Sequence, residues 1–329
     1  MNQEREVWVD YIKVIACILV VLGHFFQSMV KAHIIPETSL HIWFNTTIYY
    51  FHVPLFFICS GYLYQKYSRV YTLQSWKHNI LKKLVNLGIP FFLFSSVTWI
   101  LKYYFSDKVS NPIGTLGEVL FISPYPPYWY LYVLFFIFLI IPTVKKKNSL
   151  VRLTVLAAIL KVATCLCPEF VLWKIYPFYS VASYLIWFVL GIDLSVVGAV
   201  KIKNRALGIM LFFLFLSISI FTVNLTNSFI VVGMTTLACI SVFMIMSLTS
   251  RNKVFEMLAP YTMPVFLMHT LTAAPIRIFL VRNGINDPLV HIIVGLLACI
   301  IGPVIVVRIL EMIKLDFLVY PGKYIKIKM

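Results

Sequence analysis

Along this chain, long apolar runs alternate with short clusters of charge, proline and polar side chains. The runs fall at 8–30, 43–64, 84–104, 128–144, 150–167, 178–200, 206–223, 228–249, 259–281 and 289–312. A helix rises about 1.5 Å per residue, so runs of about 20 residues match a hydrocarbon layer roughly 30 Å thick. Inside that layer the backbone has no water to bond with, and a helix satisfies its polar groups internally. The pattern predicts an all-α fold: a polytopic membrane helical bundle of about ten transmembrane helices, forming a single domain over 1–329 with no appended soluble domain. No internal repeat is visible. The longest polar stretches are 65–83 and 105–127. The second contains Asn111, Pro112, Gly114, Gly117, Pro124, Pro126 and Pro127, and predicts a short interfacial helix around Glu118.

Composition sharpens this picture. The chain is 61% hydrophobic and 12% charged with a mean hydropathy of +0.90, whereas soluble domains carry about 25% charge. A net charge of +16 would suggest nucleic acid in a soluble protein, but the basic residues lie between the apolar runs. Those of the 65–83 loop, of 145–152, 201–205 and 251–253, together with Arg5 and the tail lysines Lys314, Lys323, Lys326 and Lys328, place 19 of the 28 on one side. Lys31, Lys102, Lys108, Lys174 and Arg282 stand on the other. That asymmetry predicts both termini in the cytoplasm and membrane lipid, rather than nucleic acid, as the polyanionic partner. The N-terminus mixes Glu4, Arg5, Glu6 and Asp10 and has no small-residue cleavage site after Leu22, so it is expected to stay as the first span. Cys17, Cys59, Cys165, Cys167, Cys239 and Cys299 lie in or beside apolar runs without metal-ligand spacing, and no metal is expected.

Ionisable groups inside spans are expensive and therefore candidates for function. They are Asp10, Lys13, His24, His52, Lys161, Asp193, His269, Arg277 and Arg308. In the first span Asp10, Lys13, Cys17, His24 and Gln27 follow one another at intervals of three, four, seven and three, which puts them on one helical face. Asp10 and Lys13 read equally well as a local ion pair. His24 lies about 21 Å along the helix from Asp10, too far for that carboxylate to orient it. The second span runs the opposite way, and His52 falls at a depth matching His24, where one imidazole can orient or proton-couple to the other.

These residues resemble the signature of acyltransferase family 3, a family of ten-helix bacterial membrane acyltransferases. The resemblance rests on "REVWVDYIKVIACILVVLGH", with Arg5, Asp10, Lys13 and His24, and on "FHVPLFFICSGYL", with His52 and Ser60. Lys13 stands where the family usually has Arg. Weaker echoes are "YWYLYVLFF", centred on Trp129, and "YTMPVFLMHT", ending at His269. The resemblance implies a multi-pass protein of the bacterial cytoplasmic membrane that transfers an acyl group, taken as acetyl, from cytoplasmic acyl-CoA to a hydroxyl of a cell-surface or lipid-linked glycan. His24 is expected as general base, with His52 as its catalytic partner. Asp10, Lys13, Lys77, Lys82 and Lys83 are expected at the donor, where lysine attracts phosphate as a point charge. Ser60, Trp129, His269 and Arg277 are further pocket candidates.

No cofactor is expected to be bound permanently, acyl-CoA being a substrate. The partners are the donor, a glycan or glycolipid acceptor and membrane lipid, and a homo-oligomer is compatible with them. The rival reading is a transporter or flippase for a lipid-linked glycan, which also places ionisable groups inside a bundle. It predicts paired, Gly- or Pro-interrupted segments in the two halves, which the sequence lacks.

Overall fold

A computed structural model of the protein describes residues 6–105, 113–198 and 204–325. Arg5, Lys108, Asn111, Pro112, Lys201, Lys203, Lys326 and Lys328, all used above, lie outside the described residues. Every regular element among the described residues is helical. Nine helical stretches there are long and apolar enough to cross a membrane. Many of their side chains face outward without cover, Phe221 at 81% and Met312 at 82% exposure among them. Such apolar surface is untenable in water and is what a lipid-facing helix presents.

Three predicted spans take a modified form, each beside a proline. The second run is broken into α2 (Ser39–Tyr49) and α3 (His52–Tyr67), following α1 (Val7–Lys31). Pro54 lacks the N–H that would bond the carbonyl of Tyr50 four residues earlier, and the hydroxyl of Thr235 reaches that carbonyl instead at 2.7 Å, sharing its one hydrogen with Val231 O at 2.8 Å. The third run is preceded by an amphipathic helix, α4 (Leu73–Lys83), which passes through a π-helical turn, Leu84–Gly88, into α5 (Ile89–Tyr104). Pro90 withholds the N–H that the Asn86 carbonyl would receive, and the wider turn falls at that point. The fourth run forms only the 12-residue α6 (Trp129–Ile140). Ile141 is extended at φ −103°, ψ 113°, as the residue before Pro142 tends to be. The short helix expected around Glu118 appears as the turn Glu118–Ile122, capped reciprocally: Glu118 N–H donates to the Thr115 hydroxyl, and Thr115 N–H to the Glu118 carboxylate.

The remaining helices are α7 (Lys147–Leu166), α8 (Tyr176–Val197), α9 (Arg205–Thr222), α10 (Ser228–Met246), α11 (Lys253–Leu258), α12 (Thr262–Arg282), α13 (Pro288–Met312) and α14 (Pro321–Tyr324). The chain forms two compact units. The first comprises residues up to 66 with 187–262 and 280–296. Its core centres on α1, where Val9, Ile12, Ala16, Val20 and Val21 are buried. Trp8 lies edge-on to Tyr62 and Phe243, with centroids 4.9 and 5.7 Å away. Glu6 pairs with Lys66 and accepts from the Trp8 indole, tying the start of α1 to the end of α3. Phe51 meets Phe215 edge-on at 5.5 Å. Gly61 and Gly191 allow α3 and the second half of α8 to approach until the Gly61 α-carbon lies against the Phe188 carbonyl.

The second unit comprises residues 67–186, 263–279 and 297–329. Here the Trp76 indole donates to Leu139 O at 2.8 Å. Tyr128 O–H donates to Leu267 O at 3.0 Å, and because a carbonyl only accepts, Thr98 must donate to Tyr128, 2.9 Å away. The buried Asp316 carboxylate is held by Tyr324 and Lys323.

Candidate functional site

The polar stripe predicted on α1 is present as one face of that helix. At its start Asp10 and Lys13 approach to 3.9 Å, both partly solvated, at a spacing of one helical turn. Cys17 donates its thiol hydrogen to the Thr262 carbonyl at 3.4 Å. Farther along, His24 is half-buried and Gln27 donates through its amide to Asn45 of α2 at 3.3 Å.

His52, on the first turn of α3, is 2% exposed. Its Nδ1 lies 2.7 Å from the carbonyl of Ile48. A carbonyl cannot donate, so Nδ1 carries the hydrogen and Nε2 keeps the lone pair. The two imidazoles flank one ring. Tyr49, the last residue of α2, stands edge-on to His52 with centroids 4.6 Å apart and edge-on to His24 at 6.4 Å. One feature lets Tyr49 sit there. Gly23, immediately before His24, has no side chain, and a Cβ at that position would come within 2.8 Å of the tyrosine ring.

Asp10, Lys13, His24, His52 and Ser60 therefore belong to the first unit, with Ser60 half-buried two turns along α3 from His52. The other predicted residues belong to the second. Lys77 and Lys82 are exposed on α4. Lys83 is not a free surface cation, since its ammonium sits 3.8 Å from the centroid of the Phe138 ring. Trp129 packs on Tyr184 at 5.0 Å. His269 is 1% exposed, and its Nδ1 donates to Val265 O and Phe266 O at 2.9 and 3.1 Å, the same tautomer as His52. Arg277 is half-buried on α12.

Asn45 and Tyr49 were not singled out by sequence. An amide and a tyrosine in an aromatic-rich apolar run carry no signal of their own; only the reversal of the chain between α1 and α2 sets them beside His24. An apolar groove in the same unit, lined by Leu190, Leu194, Cys239 and Phe243, contains none of these polar groups. Among the described residues no cluster of His, Cys, Asp or Glu has metal-binding geometry.

Comparison with known proteins adds what geometry alone does not. The family described as an acyltransferase domain, Acyl_transf_3, matches residues 6–308. The nodulation protein NolL of Mesorhizobium japonicum is 26% identical over 155 residues, which is 45% of this chain and 38% of that relative's length. The chain thus aligns with well under half of that protein. No solved structure matches the chain.

Proposed function

This chain belongs to the family 3 acyltransferases, whose domain takes in residues 6–308 of its 329, and we propose that it carries an acyl group from acyl-CoA to a sugar hydroxyl, with His24 as the base. The chemistry is an acyl transfer between oxygen and sulfur. The acceptor oxygen attacks the thioester carbonyl, His24 takes the hydroxyl proton as the C–O bond forms, and the C–S bond breaks. The proton then passes to the departing coenzyme A thiolate. A positioned base of this kind contributes about 10²–10⁴ in rate.

The observation that carries this reading is the asymmetry of the two imidazoles around Tyr49. His52 is sealed and bonded to the Ile48 carbonyl at the end of α2, whereas His24 is half-exposed, so His24 is the one an acceptor hydroxyl can reach. His52 then acts behind Tyr49 as a positioning residue. For the donor, exposed Lys77 and Lys82 suit the phosphates of coenzyme A, and Asp10 with Lys13 marks the charged end of the α1 stripe. The distribution of basic residues supports a bacterial cytoplasmic membrane setting with both termini inside.

The test is release of free thiol from acetyl-CoA by the purified protein in phospholipid nanodiscs, with and without candidate glycans. His24→Gln keeps size and hydrogen bonding but has no basic nitrogen, and transfer is expected to fall at least about 10²-fold with folding intact. Near-normal transfer by that variant would remove His24 from the chemistry.

A further inference from the structure

The family match ends at residue 308, yet the chain beyond it is built into the second unit. Helix α13 closes with the Lys314 N–H on Glu311 O and the Leu315 N–H on Leu310 O. That reversal puts Lys314 at φ 59°, in the left-handed region that glycine usually fills at a helix end. A lysine persists there only where its surroundings hold the chain to that course. A buried acid supplies the hold. The Asp316 carboxylate, 2% exposed, accepts from the Tyr324 hydroxyl through one oxygen, and its other oxygen lies 3.6 Å from the Lys323 ammonium. Lys323 also stands 3.9 Å from Glu311, whose second oxygen accepts from Arg308 at 2.9 Å, and 4.3 Å from the centroid of the Tyr320 ring. The segment is thereby tied to the end of α13 through Glu311 and closed on itself at Asp316.

This closed segment lies against a weak joint. Helix α14 touches the π-helical turn Leu84–Gly88, and the turn Asp316–Leu318 touches α5. The α-carbon of Gly322 rests on the Asn86 side chain so closely that a Cβ there would stand 2.4 Å from the amide oxygen. A π-turn interrupts the regular helical ladder, and Pro90 removes one more backbone bond beside it. The backbone alone therefore does not fix the direction in which α4 meets α5. Side chains from two elements supply the constraint. Toward α6, Trp76 bonds to Leu139 O and Lys83 covers the Phe138 ring. Toward α14, Asn86 meets Gly322. Lys77 and Lys82, exposed on α4, are aimed by that joint.

We propose that residues 315–325 clamp the joint between α4 and α5, and that Asp316 is a positioning residue for the lysines of α4. The catalytic meaning of the clamp rests on the acyltransferase reading, but the clamp itself can be read without any donor. Hydrogen–deuterium exchange over residues 84–92 is followed in the full-length protein in nanodiscs, and coenzyme A is titrated against the same sample by calorimetry. Asp316→Ala should speed exchange there at least about tenfold, the scale of one lost hydrogen bond to a charged group. The buried thiols of Cys59 and Cys239, in the first unit, should stay protected. Asp316→Asn keeps an oxygen for Tyr324 and should fall between Asp316→Ala and the wild type. Asp316→Ala should bind coenzyme A about two- to fivefold more weakly, the range of one weakened exposed ion pair, and raise the acetyl-CoA KM in step with kcat unchanged. In a Lys77→Ala/Lys82→Ala background, adding Asp316→Ala should weaken binding no further, because it acts through those side chains. Unchanged exchange over 84–92, or acceleration spread over the whole chain, overturns the clamp. Local acceleration with coenzyme A affinity intact, or an equal further loss in the background lacking both lysines, overturns the positioning role. If the wild type neither binds coenzyme A nor releases thiol from acetyl-CoA, the acyltransferase reading falls, and exchange over 84–92 alone decides the clamp.

Discussion

The contact between α3 and the second half of α8 gives a prediction whose size follows from the coordinates. A Cβ built on Gly61 would lie 1.9 Å from the Phe188 carbonyl oxygen, and one on Gly191 would lie 2.0 Å from the Ile58 carbonyl oxygen. Real Cβ atoms essentially never come closer than 3.0 Å, so Gly61→Ala must open the crossing by at least about 1.1 Å, the difference of the two distances. Both obstacles are backbone and cannot rotate away. Overpacking typically costs about 1–3 kcal/mol, and a rigid clash of this depth belongs at or above the top of that range. Replacing glycine by alanine within a helix returns about 1 kcal/mol. The net loss is then at least about 2 kcal/mol, a fall in melting temperature of roughly 4–8 °C. A thiol-reactive fluorophore reads the transition directly, because the free thiols of Cys59 and Cys239 are fully buried in the same unit. Gly233→Ala is the internal control: it lies within α10 with nothing inside 4 Å of its Cβ, so its melting point should hold or rise. If the two variants melted within 1 °C of each other, the close crossing would carry no stability and the packing argument would be wrong.

Removing the Thr235 hydroxyl with Thr235→Val should cost about 1–3 kcal/mol by orphaning the Tyr50 carbonyl. Adding Pro54→Ala should recover part of that cost, because residue 54 then supplies the missing N–H, and a double-mutant cycle measures the recovery. At the proposed donor site, Lys82→Ala should raise the acyl-CoA KM without changing the melting point. Lys83→Ala should also lose about 0.5–1 kcal/mol of stability with its cation–π contact to Phe138; an unchanged KM in both variants would reduce this segment to a determinant of topology.

Much of the helical architecture was legible because a bilayer leaves few options. Apolar length alone marked the spans, and nine of the predicted runs correspond to stretches long enough to cross. The exceptions arise where a local backbone constraint interrupts an unbroken apolar run. Pro142 ends α6 early, and neither the period nor the composition of "YWYLYVLFF" announces that. The break between α2 and α3 was legible only as a kink at Pro54, since its stability depends on Thr235, some 180 residues away in sequence. The site divides in the same way. Periodicity put His24 and Gln27 on one face of α1 because helical geometry is local. Asn45 and Tyr49 join them through a chain reversal, and the role of Gly23 is visible only once the Tyr49 ring is seen against its α-carbon.

The motif around His52 thereby acquires a structural reason alongside the chemical one. Pro54 removes one helical hydrogen bond, and the chain bends between Tyr49 and His52. That bend leaves two carbonyls needing donors. Tyr50 O is supplied by Thr235, and Ile48 O is supplied by the imidazole of His52 itself together with the Phe51 N–H. His52 is therefore bound into the very break that presents Tyr49 to His24, and its tautomer is set by the backbone it repairs. A proline, a histidine two residues before it and a distant threonine hold the Tyr49 ring in place. The glycine that precedes His24 leaves room for that ring. On this view the spacing of His52 and Pro54 follows from the geometry of the broken helix, and the reactivity proposed for His24 depends on how firmly that break is held.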